Sequence, residues 1–219
     1  MPTINYSKKF IFIGNARCGS TSHYIIFNDL SINDNIIVGG GKTKYLQGRK
    51  NIQIISTLPY NYHMGISDVY KSFFNNKKFH DYFKFGFVRN PWSRFYSCWQ
   101  EFVLKHEIHP EWTKEIAIPK YINSFEKFCL DFPNLRIKDD IHFVPLYQQI
   151  IHDDKIALDY IGNFECMNDD IIFICNKLRF NSNPKLEHRR NSSDKNYFNK
   201  YTEETKKIIG DFYKKDIEL

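Results

Sequence analysis

Apolar runs of strand length alternate with segments of helical period along this chain. The alternation predicts an α/β fold, a central sheet flanked by helices. Residues 10–13, F-I-F-I, are wholly apolar and mix β-branched with aromatic side chains, the pattern of a strand buried on both faces of a mainly parallel sheet. Residues 20–30 follow as a helix, with Tyr24, Ile25, Phe27 and Leu30 available for packing. Residues 31–50, rich in Asn, Gly and Lys, read as a surface loop. Residues 51–58 read as a second strand, 66–74 as a helix and 83–89 as a third strand. A strong helix is expected from Pro91 to about 106, with Asn90 as its cap and Trp92, Phe95, Tyr96, Trp99 and Val103 facing the core. Residues 107–145 carry no regular period apart from a short helix near 124–130. A fourth strand near 160–164 precedes a helix near 169–178 and another from Thr202 to the end, with Glu203 and Glu204 in its first turn. Between these helices, residues 185–198 are polar and basic and read as a mobile loop. No repeat interrupts the chain, which reads as one domain over residues 1–219.

Composition narrows the function classes. The 219 residues suffice for a core without disulfides or metals, and the 17% aromatic content points to a core of rings. A net charge of +6 favours anionic partners, but acidic and basic residues are interspersed and no basic block appears, so nucleic acid is not expected as a partner. Cys18, Cys98, Cys129, Cys166 and Cys175 show no C-x-x-C pair and read as reduced thiols. No run approaches the length of a membrane span, and a soluble, cytoplasmic protein is the expectation.

The first strand runs through Gly14 into N-A-R-C-G-S-T-S, a small-residue turn that opens a helix. Backbone amides, hydroxyls and the positive end of the helix dipole make such a turn a cradle for phosphate or sulfate, and Arg17 adds a fixed charge within it. Strand, glycine turn and helix also recur in α/β proteins that bind nothing there. Cys18 reads as a small residue filling a tight turn ahead of a redox or nucleophilic role. G-G-G-K-T at 39–43 superficially suggests a nucleotide P-loop, but Ile36 stands where that motif needs glycine.

A second element, R-N-P-W-S-R-F-Y-S at 89–97, places Arg89 at a strand's carboxyl end, where open α/β sheets bind ligands, and Ser97 on the second turn of the next helix. If the first and third strands are close and parallel, two anion sites share one edge. A-R-C-G-S-T-S and R-N-P-W-S-R-F-Y-S together resemble the two motifs of the sulfotransferases that use 3'-phosphoadenosine-5'-phosphosulfate (PAPS), closest to the carbohydrate-directed branch. Weaker similarities lie in Y-I-G-N-F-E at 160–165 and H-R-R-N-S at 188–192.

The resemblance implies a P-loop-like three-layer fold. It implies that Arg17, Cys18, Gly19, Ser20, Thr21 and Ser22 hold the 5'-phosphosulfate, that Arg89 and Ser97 hold the 3'-phosphate, and that the loop bearing Arg189 and Asn191 closes over the nucleotide. It implies transfer of the sulfuryl group to a hydroxyl, on a sugar or polysaccharide, leaving adenosine 3',5'-bisphosphate. The family places Lys where Arg17 stands, and its common Asp is Asn90 here; both Asn and Asp cap helices. His63, in Y-H-M-G-I-S-D-V-Y, is the candidate base, with His142 in reserve and Asp68 a possible orienting group. Nothing in this chemistry demands a metal. Two other readings stand beside it, a non-catalytic nucleotide-binding module and a P-loop kinase. The kinase lacks Lys followed by Ser or Thr at the loop's end. For Arg94 a helix-surface ion pair is as good an account as a ligand contact. For Arg189 and Arg190 a solvated loop face competes. The acceptor pocket is expected from residues 31–50 and 107–145, with Lys105, Lys114 and Lys120 hinting at an acidic glycan.

Overall fold

The computed structural model describes residues 2–30, 35–38, 52–55, 63–73, 79–105, 119–181, 184 and 196–219. In chain order the strands are β1 (Thr3–Asn5), β2 (Phe10–Ile13), β3 (Asn35–Val38), β4 (Ile52–Ile55), β5 (Phe83–Val88), β6 (Ile151–His152), β7 (Lys155–Ile156) and β8 (Tyr160–Asn163). The helices are α1 (Ser20–Leu30), α2 (Ile66–Phe73), α3 (Pro91–Trp99), α4 (Pro119–Ile122), α5 (Phe125–Asp131), α6 (Tyr147–Ile150), α7 (Met167–Lys177), α8 (Glu203–Phe212) and α9 (Lys214–Ile217). Two compact units emerge, Met1–Val88 with Leu146–Arg189, and Arg89–Pro145 with Arg190–Leu219.

The first unit is a mixed α/β body around a six-stranded sheet of order β4-β3-β1-β2-β5-β8. Pairing is parallel for β2 with β5, β5 with β8 and β3 with β4; only β1 runs against its neighbours. Alternation along β2 sends Phe10 and Phe12 to one face, where they meet Phe27 of α1 and Ile171, Ile174 and Cys175 of α7. Ile11 and Ile13 go to the other face, against Ile66 and Val69 of α2 and against Phe79. Both faces of β2 are therefore covered, as its apolar run predicts.

Two strands depart from expectation. β1 reads T-I-N, too short and polar to stand out, yet it is buried because it pairs on both edges. β3 lies inside the stretch expected to be loop, its I-I-V extended by pairing with β1 and β4. Residues 31–34 and 39–50 lie outside the described residues, as do residues 185–195 and the side chains of Tyr24 and Ile25.

The second unit is helical. Asn90 caps α3 by accepting from the Ser93 amide at 3.1 Å, Pro91 occupies the first position, and the helix continues past Trp99 as a π-helical turn over Gln100–Leu104. Phe95 sits fully buried among Phe125, Phe128, Phe132, Phe143 and Tyr213, with the Phe132 ring edge-on at 4.7 Å. Residues 119–145 are thus core-forming and not irregular. Their apolar side chains are spread over α4, α5 and 3-10 turns broken by Ser124 and Pro133, which conceals the period. Thr202 and Thr205 form a reciprocal capping box at the start of α8.

Arg94 is 1% exposed, so the expected surface ion pair is not what forms. One terminal nitrogen donates to the carbonyls of His142 at 2.9 Å and Val144 at 2.7 Å, the other lies 3.8 Å from the buried Asp216 carboxylate, and the guanidinium covers the Tyr213 ring. Removing it takes a donor from two carbonyls and the nearby cation from a buried carboxylate. Arg94→Leu is expected to lower unfolding free energy by about 3–5 kcal/mol in urea titrations; a loss below about 1 kcal/mol contradicts this role.

Candidate functional site

The turn after β2 is built to be narrow and rigid. Asn15 N–H donates to Ile13 O at 3.0 Å, Cys18 N–H to Asn15 O at 3.4 Å, and Ser22 and His23 N–H both to Gly19 O. Arg17 and Gly19 hold positive φ values of 61° and 72°. Gly19 has a second reason to be glycine, since a Cβ there would meet Met167 Sδ and Phe164 at 3.2–3.3 Å. Arg17 instead accepts the left-handed conformation at a cost of about 1–2 kcal/mol, a kind of strain that gathers at functional sites.

α1 starts at Ser20, and the amides of Ser20 and Thr21 donate to no carbonyl among the described residues. Two unpaired N–H groups, the positive helix end and the half-buried Arg17, Ser20, Thr21 and Ser22 favour a bound anion. Cys18 is buried and turns its Sγ to the Ala16 carbonyl, inside the turn.

Within the same unit His63 precedes α2 and places Nδ1 2.6 Å from Gly14 O, at the base of the cradle. A carbonyl only accepts, so Nδ1 carries the proton, and the lone pair of the neutral ring lies on Nε2. Asp68 does not orient His63. Its carboxylate accepts from the Gly65 amide at 3.2 Å and caps α2.

Two residues that the sequence reading did not select lie beside the cradle. Asn15, 1% exposed, donates from Nδ2 to the Phe87 carbonyl at 2.9 Å, while its Oδ1 finds no donor. His23 stacks on the Phe87 ring at 3.7 Å. Burial holds its pKa down at about 3, against a weaker opposing pull from the Gly19 backbone. No periodicity marks either residue, since both look like ordinary polar positions at a turn.

In the second unit, Arg89 follows β5 in the chain and is buried, with Nε donating to Ser93 Oγ at 2.9 Å. Ser93 thereby fixes the guanidinium plane, a role readable in hindsight from its spacing of four from Arg89. Ser97 is buried one turn further along α3. His142 pairs through Nδ1 with Asp140 at 2.7 Å. Burial would raise the Asp140 pKa, but the bonds from His142 prevail and hold it below its usual value. Of the basic residues suggested for an acceptor, Lys105 pairs with Glu101 and Lys120 with Asp131 on the surface, and Lys114 lies outside the described residues. Arg189, Arg190 and Asn191 also lie outside them.

A sequence model described as the sulfotransferase family matches residues 7–219, nearly the whole chain. No curated protein and no solved structure matches it.

The His23 environment has a consequence for acid stability. The buried ring stays neutral down to about pH 3, whereas in the unfolded chain it takes a proton below its ordinary value of 6.5. Between those limits the unfolded state binds more protons, so stability falls as pH falls. His23→Phe keeps a ring against Phe87 and removes the titration. From pH 7.5 to pH 5 the wild type should lose about 2 kcal/mol more unfolding free energy than His23→Phe; equal losses contradict the assignment.

Proposed function

We propose, for a chain that belongs to the sulfotransferase family and is a PAPS-dependent sulfotransferase enzyme, that residues 17–22 hold the 5'-phosphosulfate of the donor and that Arg89 and Ser97 hold its 3'-phosphate. The observation that carries this reading is the pair of amides at Ser20 and Thr21 that find no acceptor among the described residues and start α1 beside Arg17. Those groups fit an anion, and the family generally takes its sulfate from PAPS. Arg189 and Asn191 complete the donor-binding set in this reading. The family match runs from residue 7 to residue 219, which supports treating the chain as one sulfotransferase-like domain with a P-loop-like arrangement of strand, cradle and helix.

His63 Nε2 takes the proton of the acceptor hydroxyl as its oxygen attacks sulfur. The bond from sulfur to the bridging oxygen breaks, and the electron pair stays on the departing 5'-phosphate. Arg17 and the cradle amides stabilise that negative charge, so the products are a sulfate ester and adenosine 3',5'-bisphosphate. The tautomer required of His63 is the one its bond to Gly14 O selects. The similarity of the two motifs to the carbohydrate-directed branch supports a sugar hydroxyl as acceptor. No helix of the described residues is long and apolar enough to cross a membrane. None of the five cysteines forms a disulfide, which suits the reducing cytoplasm.

His63→Ala is expected to lower kcat by about 100- to 10,000-fold, in assays with labelled PAPS and a glycan panel, while leaving the Kd for adenosine 3',5'-bisphosphate unchanged. Undiminished turnover removes His63 from the base role.

A further inference from the structure

The cradle is bracketed by two polar residues that grip the same side chain and backbone of β5. Asn15, just before it, donates to the Phe87 carbonyl at 2.9 Å. His23, just after it, lies flat on the Phe87 ring at 3.7 Å with an interplanar angle of 18°. Phe87 is itself immobilised. It is buried, it pairs with Gly162 of β8, and a Cβ on Gly162 would come within 2.6 Å of its ring, so β8 presses close against it.

Both gripping residues are polar and buried, and Asn15 Oδ1 meets no donor among the described residues. Apolar side chains of similar size would avoid that penalty. What an apolar residue at position 15 cannot supply is an N–H for the Phe87 carbonyl. We infer that Asn15 is a positioning residue of the donor site, a strut that sets the height of the cradle above β5 through Phe87, with the His23 ring as its counterpart at the other end. The inference rests on the donor-site reading above.

The strut acts on the 5' end of the donor alone, and the test uses that asymmetry. Asn15→Leu, of similar volume and without a donor, and Asn15→Asp, which sets an oxygen against the Phe87 carbonyl, are titrated calorimetrically with adenosine 3',5'-bisphosphate and with adenosine 3'-monophosphate. Thermal unfolding confirms that each is folded. Should the leucine variant fail to fold, Asn15→Ala, neutral and likewise without a donor, carries the measurement. The expected result is a Kd for the bisphosphate raised about tenfold or more, with that for the 3'-monophosphate held within about twofold. A strut of merely structural value would lower the melting temperature and shift both ligands equally or neither, and either pattern overturns the inference. A wild-type chain that does not bind the bisphosphate overturns the donor reading and the strut together. Wild-type binding matched by both variants overturns the strut alone.

Discussion

β2 and β5 lie side by side and parallel, with Ile13 opposite Gly86, so both strands deliver their carboxyl ends to the same edge of the sheet. Everything proposed for the cradle depends on this pairing. The turn after β2 gains its floor from β5 through the Asn15 bond to Phe87, and its packing from Met167 and Phe164 beneath Gly19. In open sheets of this kind the carboxyl edge is where chain leaves the ladder and its amides face outward, which is why ligands gather there. A strand buried on both faces, as β2 is, cannot shift register without carrying its aromatic set to the wrong side.

The electrostatic character of that edge comes from groups held at some cost. Arg17 takes a left-handed backbone, and two amides at the start of α1 go without acceptors among the described residues. A fold selected for stability alone has a simple remedy for the first, a glycine at 17. Retaining them is consistent with a site that meets its partner only when the donor is bound. Arginine at position 17 serves that purpose differently from lysine, since its planar fork spreads donors over several oxygens. His63 is tied to the same turn through Gly14 O, so the proposed base and the cradle share one local framework.

Legibility in the sequence followed the strength of the local pattern. The F-I-F-I run, the α1 segment after it and Asn90-Pro91 at the head of α3 were readable because composition and tertiary role agree there. β1 and β3 were not, because T-I-N and N-I-I-V become strands through their neighbours and not through their own period. Arg94 was misjudged for a related reason. A charged residue on a helix is usually solvated, and nothing local tells that two carbonyls and Asp216 will surround it. The motif residues Arg17 to Ser22, Arg89 and Ser97 could be found by spacing. Asn15 and His23 could not, since they matter through contacts with Phe87 that only the folded backbone creates.

The most direct test of the cradle is the affinity of Arg17→Ala for adenosine 3',5'-bisphosphate, measured by titration calorimetry beside the wild type. Loss of a charge-assisted contact to the 5'-phosphate should weaken binding by about tenfold or more, with the melting temperature of the ligand-free protein unchanged. Equal affinity in the two proteins contradicts the claim that this turn is where the donor's 5' end is held.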